Sequence, residues 1–148
     1  MTFAPPTWPV FVKGVLFDAD GRVLLLGNEQ GEWELPGRRL ETGSADGGLP
    51  GDRSPELALE HELLASTGWL VEVGPLVPGG VWIHEGRYGR RALVVTYGCE
   101  VRAADQVPLV SDEPGRLGLF PPREVEGLNM ADGYKRSVSV WREGRAGR

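Results

Sequence analysis

Apolar residues along this chain gather in short runs, and glycine, proline or acidic turns cut most of them off before they reach helix length. Residues 8–17 read as a strand, apolar but for Lys13 inside it. Asp18-Ala19-Asp20-Gly21 then makes a turn, because acidic side chains bond the local backbone and glycine supplies the left-handed position. Residues 23–26 form a second strand, and the pair reads as a hairpin. After another turn over 27–31 comes a short strand at 33–35, ended by Pro36-Gly37, with 38–40 continuing extended. Further strands are expected at 70–76, 81–84, 91–101 and 117–120, with a loop over 107–116.

Two stretches read as helices. Ser54-Pro55-Glu56 opens the first: serine suits the N-cap, and proline suits the first helical position, where its missing N–H costs nothing. This helix runs to about residue 66 and stops near Gly68. Leu59 and Leu63 fall on one of its faces, Glu62 and Ser66 on another. The second, over 132–143, spaces Tyr134, Val138 and Trp141 to meet a core. A brief helical turn is expected at Pro121-Pro122-Arg123-Glu124, and a polar, glycine-rich loop at 42–53. Strands mixed with helices predict a sheet covered by helices, and no repeat or long linker divides residues 1–148 into more than one domain.

Composition narrows the classes. A chain of 148 residues that is 41% hydrophobic can bury a sizeable core. The net charge of -5 argues against a broad footprint on nucleic acid, so no polymer of that kind is expected as a partner. A small anionic ligand would need local cations or a divalent metal to receive it. No apolar run can span a bilayer, and residues 1–9 lack the pattern of a signal peptide. The single cysteine, Cys99, excludes an internal disulfide and a cysteine-based zinc site, and reads as a small buried hydrophobe. A cytoplasmic protein is expected, alone or as a homodimer.

Trp33-Glu34-Leu35-Pro36-Gly37, then Glu41 and Gly43, then a capped helix carrying Glu62-Leu63 and closing on Thr67-Gly68, resembles the Nudix hydrolases. Gly133-Tyr134-Lys135 ahead of the last helix is a weaker echo of the same family. The resemblance covers most of the chain. It implies an α+β fold, a Nudix-type α/β/α sandwich with a mixed β-sheet. It also implies hydrolysis of a nucleoside diphosphate linked to another moiety, with Mg2+ as cofactor.

The signature's helix projects glutamates at i and i+4 to hold Mg2+ against a diphosphate, where the metal neutralises charge and acidifies a water. Aligned on Gly68, this chain keeps Glu62 but has Ala65 and Ser66 at the two later glutamate positions and His61 at the arginine. The signature's first glycine falls on Arg38 and its first glutamate on Ser44, and the spacer gains nine residues, 45–53. A hydroxyl is a poor ligand for a hard cation, yet Mg2+ often uses one or two protein carboxylates plus substrate phosphates.

The resemblance therefore implies Glu62 as the metal ligand, with Glu62 and Glu113 as catalytic residues, and Arg38, Arg39 and Trp82 as substrate-binding residues. Asp46, Asp52 and Asp112 are further loop carboxylates able to approach a metal, although each singly is better read as a solvated charge. His61 reads as a helix-surface residue, Glu41 as a tie to the loop backbone, and Trp82, despite its candidacy, first as core packing. Three readings stay open: a hydrolase with a reduced metal site, a non-catalytic module that binds a nucleotide or sugar-nucleotide on the same fold, and, more weakly, a non-hydrolytic transformation of a small metabolite on that fold. In the first two, the partner is a small phosphate-containing molecule.

Overall fold

The computed structural model describes residues 7–43, 51–86, 89–102 and 116–146. Its principal sheet is built around β1 (Val10–Val15), which pairs antiparallel with β4 (Gly37–Arg39) and parallel with β6 (Arg91–Val101). The long β5 (Val71–Glu85) pairs antiparallel with β6, which gives a mixed sheet in the order β4-β1-β6-β5. A smaller antiparallel sheet has β2 (Val23–Gly27) between β3 (Trp33–Glu34) and β7 (Leu117–Phe120).

The expected hairpin forms only at its turn. Asp18 N–H donates to the Arg22 carbonyl at 2.9 Å and Phe17 pairs with Val23, after which β1 and β2 part into different sheets. Both edges of β1 are taken by β4 and β6, so β2 finds its partners elsewhere. The strands expected at 70–76 and 81–84 are a single strand. Register shifts between Val73 and Leu76, and between Leu76 and Val81, absorb Pro75, Pro78 and the glycine pair that follows. An edge strand tolerates this because its outer backbone groups have no ladder to break.

Helices cover both faces of the principal sheet. On one side α1 (Pro55–Thr67) buries Leu59 and Leu63 fully against Val12, Leu16 and Leu24. Its ends follow the sequence: the Ser54 hydroxyl accepts from Leu57 N–H at 3.2 Å, and Gly68, at φ 77°, closes the helix through its N–H on the Leu64 carbonyl. On the other side α3 (Asp132–Ala146) sets Tyr134, Val138 and Trp141 against Val15, Val77 and Val94. Gly98 allows that approach, because a Cβ there would lie 2.3 Å from the Trp141 ring. A short α2 (Pro122–Val125) precedes it. The result is the expected α/β/α sandwich with a mixed sheet. Cys99 is buried in the α1-side core, and burial pushes its thiol up to about 12. Among the described residues no helix is long and apolar enough to cross a membrane.

Candidate functional site

Alternation along β1 sends its side chains to opposite faces, and the pairing register carries that division across the sheet. Val12 and its partner Arg38 face α1, whereas Phe11 and its partner Arg39 face α3, as does Val94 on β6. The two adjacent arginines therefore serve different sides of the molecule.

On the α3 side lies a cleft of about 780 Å³. Lys13 forms its floor at 3% exposure, with its Nζ 3.3 Å from Glu34 Oε1 and within 5.8 Å of the Phe11 and Tyr134 ring centroids. Burial lowers the amine's pKa from its ordinary 10.5, while Glu34, and at longer range Glu62, act in the opposite direction. Glu34 also accepts from the Asn28 amide at 3.5 Å. Trp33, His84 and Tyr134 supply the aromatic walls, and Arg39 stands exposed at the rim with no ion-pair partner among the described residues. The Trp33 ring is held edge-on by Phe120 at 4.7 Å and covered by the Arg116 guanidinium at 5.1 Å. Burial, followed by the charges of Glu34 and Glu32, pushes the Tyr134 phenol well above its usual range.

Trp82 stands behind this wall. It is half-buried, 5.0 Å from Tyr134 and 5.2 Å from His84, both of which line the cleft, whereas its own ring does not. A Cβ on Gly133 would lie 2.4 Å from that ring, so the start of α3 rests directly on it.

On the α1 side the signature positions have other occupations. Glu62 is half-buried and close enough to feel both Lys13 and Arg38. The Ser66 hydroxyl donates back to the Glu62 carbonyl at 2.8 Å, and Ala65 and His61 are exposed. Arg38 clasps Asp52 through two bonds of 2.9 Å, and Asp52 accepts the Glu41 N–H at 2.7 Å. The Arg38 guanidinium, then the Glu41 N–H, hold the Asp52 carboxyl below its ordinary 3.8. Asp52 and Glu41 thus tie down the end of the long spacer. Glu113, Asp46, Asp112, Ser44 and residues 45–50 of the 45–53 spacer lie outside the described residues.

A Mg2+ ion wants six oxygen ligands in near-octahedral array. Among the described residues no group of three or more acidic, histidine or cysteine side chains could hold a metal. A site built wholly by the described residues does not fit the ion. A site in which Glu62 is one ligand and a bound diphosphate and water supply the others does fit the donor chemistry.

The sequence had singled out Glu62, Arg38, Arg39 and Trp82; of these only Arg39 lines the cleft. The Lys13–Glu34 pair was missed as a site, although a lysine inside an otherwise apolar strand was its signal.

This arrangement, helices on both faces of a mixed sheet with a cleft on the α3 side, is the Nudix fold. The sequence matches no protein-family model and no curated protein. Solved structures match over almost the whole chain. A Nudix hydrolase from Nitrosomonas europaea aligns at a TM-score of 0.69 and 18% identity over 93% of this chain and 90% of its own. The MutT protein of Methanosarcina mazei Go1 aligns at 0.68 and 15% identity over 97% and 99%. A UDP-X diphosphatase aligns at 0.66 and 18% identity; it covers 98% of this chain, which spans 66% of the diphosphatase's length. The caps and buried leucines that shape α1 are present, whereas positions 44, 65 and 66 carry serine, alanine and serine.

Proposed function

We propose that the protein binds a nucleoside diphosphate linked to another moiety in the Lys13–Tyr134 cleft and hydrolyses it, with Mg2+ that arrives largely on the ligand's own phosphates. The observation that carries this reading is the buried Lys13 at the floor of an aromatic cleft, paired with Glu34 at 3.3 Å, in a fold shared with solved Nudix hydrolases. Trp33, His84 and Tyr134 offer flat apolar faces suited to a base or sugar, and Arg39 offers a rim cation for phosphate. When bound, the metal supplies charge neutralisation on the bridging phosphates and a more acidic water. Glu62 is its protein ligand, Glu113 is the second catalytic carboxylate we assign from the sequence, and Trp82 holds His84 and Tyr134 in place. The single buried cysteine is compatible with a cytoplasmic setting.

A second reading, retention of the ligand without cleavage, is favoured by one observation: Ser66 and Arg38 are already engaged, by the Glu62 carbonyl and by Asp52. A screen of nucleoside diphosphate derivatives against Mg2+, Mn2+ and chelator separates the two. The hydrolase reading expects metal-dependent product that Glu62→Gln depresses at least about a hundredfold, in the range of lost transition-state charge stabilisation. Binding in chelator with no product under any metal would establish the second reading in its place.

A further inference from the structure

Away from the cleft, and sharing none of its lining residues, lies a second concavity of about 510 Å³. Its floor is Phe17 and Pro121, and Arg22, Arg123, Arg142 and Arg145 stand around it. Asp20 is the one carboxylate among the described lining residues. Four guanidiniums converging on one hollow run against the sign of a chain whose net charge is -5.

The four are not equivalent. Arg22 is held by Asp18 at 2.8 Å and approaches Asp20 at 3.6 Å. Arg145 reaches Glu100 at 3.4 Å and lies over the Phe17 ring at 5.1 Å. Arg123 and Arg142 are exposed, and neither has an ion-pair partner among the described residues. An isolated surface arginine needs no explanation. Here, however, the two unpaired arginines come from different elements, α2 and the C-terminal half of α3, and line the same hollow with Phe17 and Pro121. The C-terminal end of α3 contributes a partial negative charge of about half a unit, which falls well short of cancelling them. Guanidinium forks match the paired oxygens of phosphate, and the hollow has the size of a small-molecule site.

We propose that this hollow is a second anion site that takes a small molecule carrying two or more linked phosphates, gripped by Arg123 and Arg142 and steadied by Arg22 and Arg145. The site is independent of the cleft, so it stands whether or not the cleft works as proposed.

The test is a calorimetric titration of the full chain with inorganic pyrophosphate and tripolyphosphate at low salt, without added metal. Wild type should bind, with tripolyphosphate the tighter, and the R123E/R142E variant should bind at least about tenfold more weakly, as expected for the loss of charge-assisted bonds. Arg136 is exposed on the same helix but does not line the hollow, so R136E should bind as wild type does. In the Arg39→Glu background, which weakens any phosphate binding in the cleft, the loss caused by R123E/R142E should persist. Equal loss in R136E would mean diffuse surface charge and overturn the proposal. So would unaltered binding in R123E/R142E, or no binding by wild type. If an acidic peptide or single-stranded oligonucleotide displaces tripolyphosphate at a lower phosphate or carboxylate concentration, the hollow serves a macromolecule and the small-molecule assignment fails. All the substituted arginines are exposed or half-exposed, and thermal melts of each variant confirm the fold independently of binding.

Discussion

Lys13 carries more of this account than any other residue. Holding an ammonium at 3% exposure is costly unless it is paired, and Glu34 alone, at 3.3 Å, only partly offsets the desolvation. Burial therefore weighs against the protonated amine, and stability should rise as pH climbs from its lowered native pKa toward the unfolded value of 10.5. Lys13→Met should abolish that rise in the pH dependence of the melting temperature. A rise of the same size in both proteins would show that Lys13 is not its source. Asp52 has the opposite sign. Its carboxyl is held below 3.8, so its contribution is full above that value and is lost as pH falls through the native pKa. Asp52→Asn should cost about 1 kcal/mol at neutral pH, the upper range for a partly exposed ion pair. The gap from wild type in melts should narrow as pH falls below 3.8; a gap of unchanged size from about pH 5 down to about pH 2 would place the effect elsewhere.

At the scale of elements, α1 is the part most fully written in the sequence. Ser54, Pro55 and Gly68 set its ends where the capping rules put them, and Leu59 and Leu63 set its buried face. Ser54→Ala should cost about 1 kcal/mol through the orphaned Leu57 N–H, and Leu63→Ala about 2–5 kcal/mol through the cavity it leaves, both read by denaturant unfolding. A Leu63→Ala cost below that of Ser54→Ala would contradict the packing described. Strand partners were less legible. Alternation marks a strand but does not say which strand lies beside it, so residues 8–17 and 23–26 read as a hairpin although β1 is claimed on both sides. The opposed faces of Arg38 and Arg39 were hidden for the same reason, since they depend on the register of β4 with β1. The site was legible in its motif residues and not in its geometry. Lys13 and Glu34 are twenty-one positions apart, and only the turn at Leu35-Pro36, where the Gly14 N–H donates to the Pro36 carbonyl, brings them together.

For the whole molecule, the fold is that of the solved Nudix hydrolases, and among the described residues no group of three or more acidic, histidine or cysteine side chains could hold a metal, so the proposed metal site rests on Glu62 and the ligand. Ligand and metal should therefore bind cooperatively: Mg2+ alone should bind at about millimolar strength, and each should tighten the other by the same factor. Ala65→Glu with Ser66→Glu should strengthen metal binding to the free protein, because both positions lie on α1 near Glu62 and Ala65 is exposed. The measurement that tests the central claim most directly is a calorimetric titration of a nucleoside diphosphate derivative, the tightest of a panel, into wild type and Lys13→Met. The cleft account predicts measurable binding to wild type and at least about tenfold weaker binding to the variant, the loss expected when a buried charge-assisted contact is removed. Equal affinity in the two proteins, with both folded, would place the ligand outside the cleft and contradict the account.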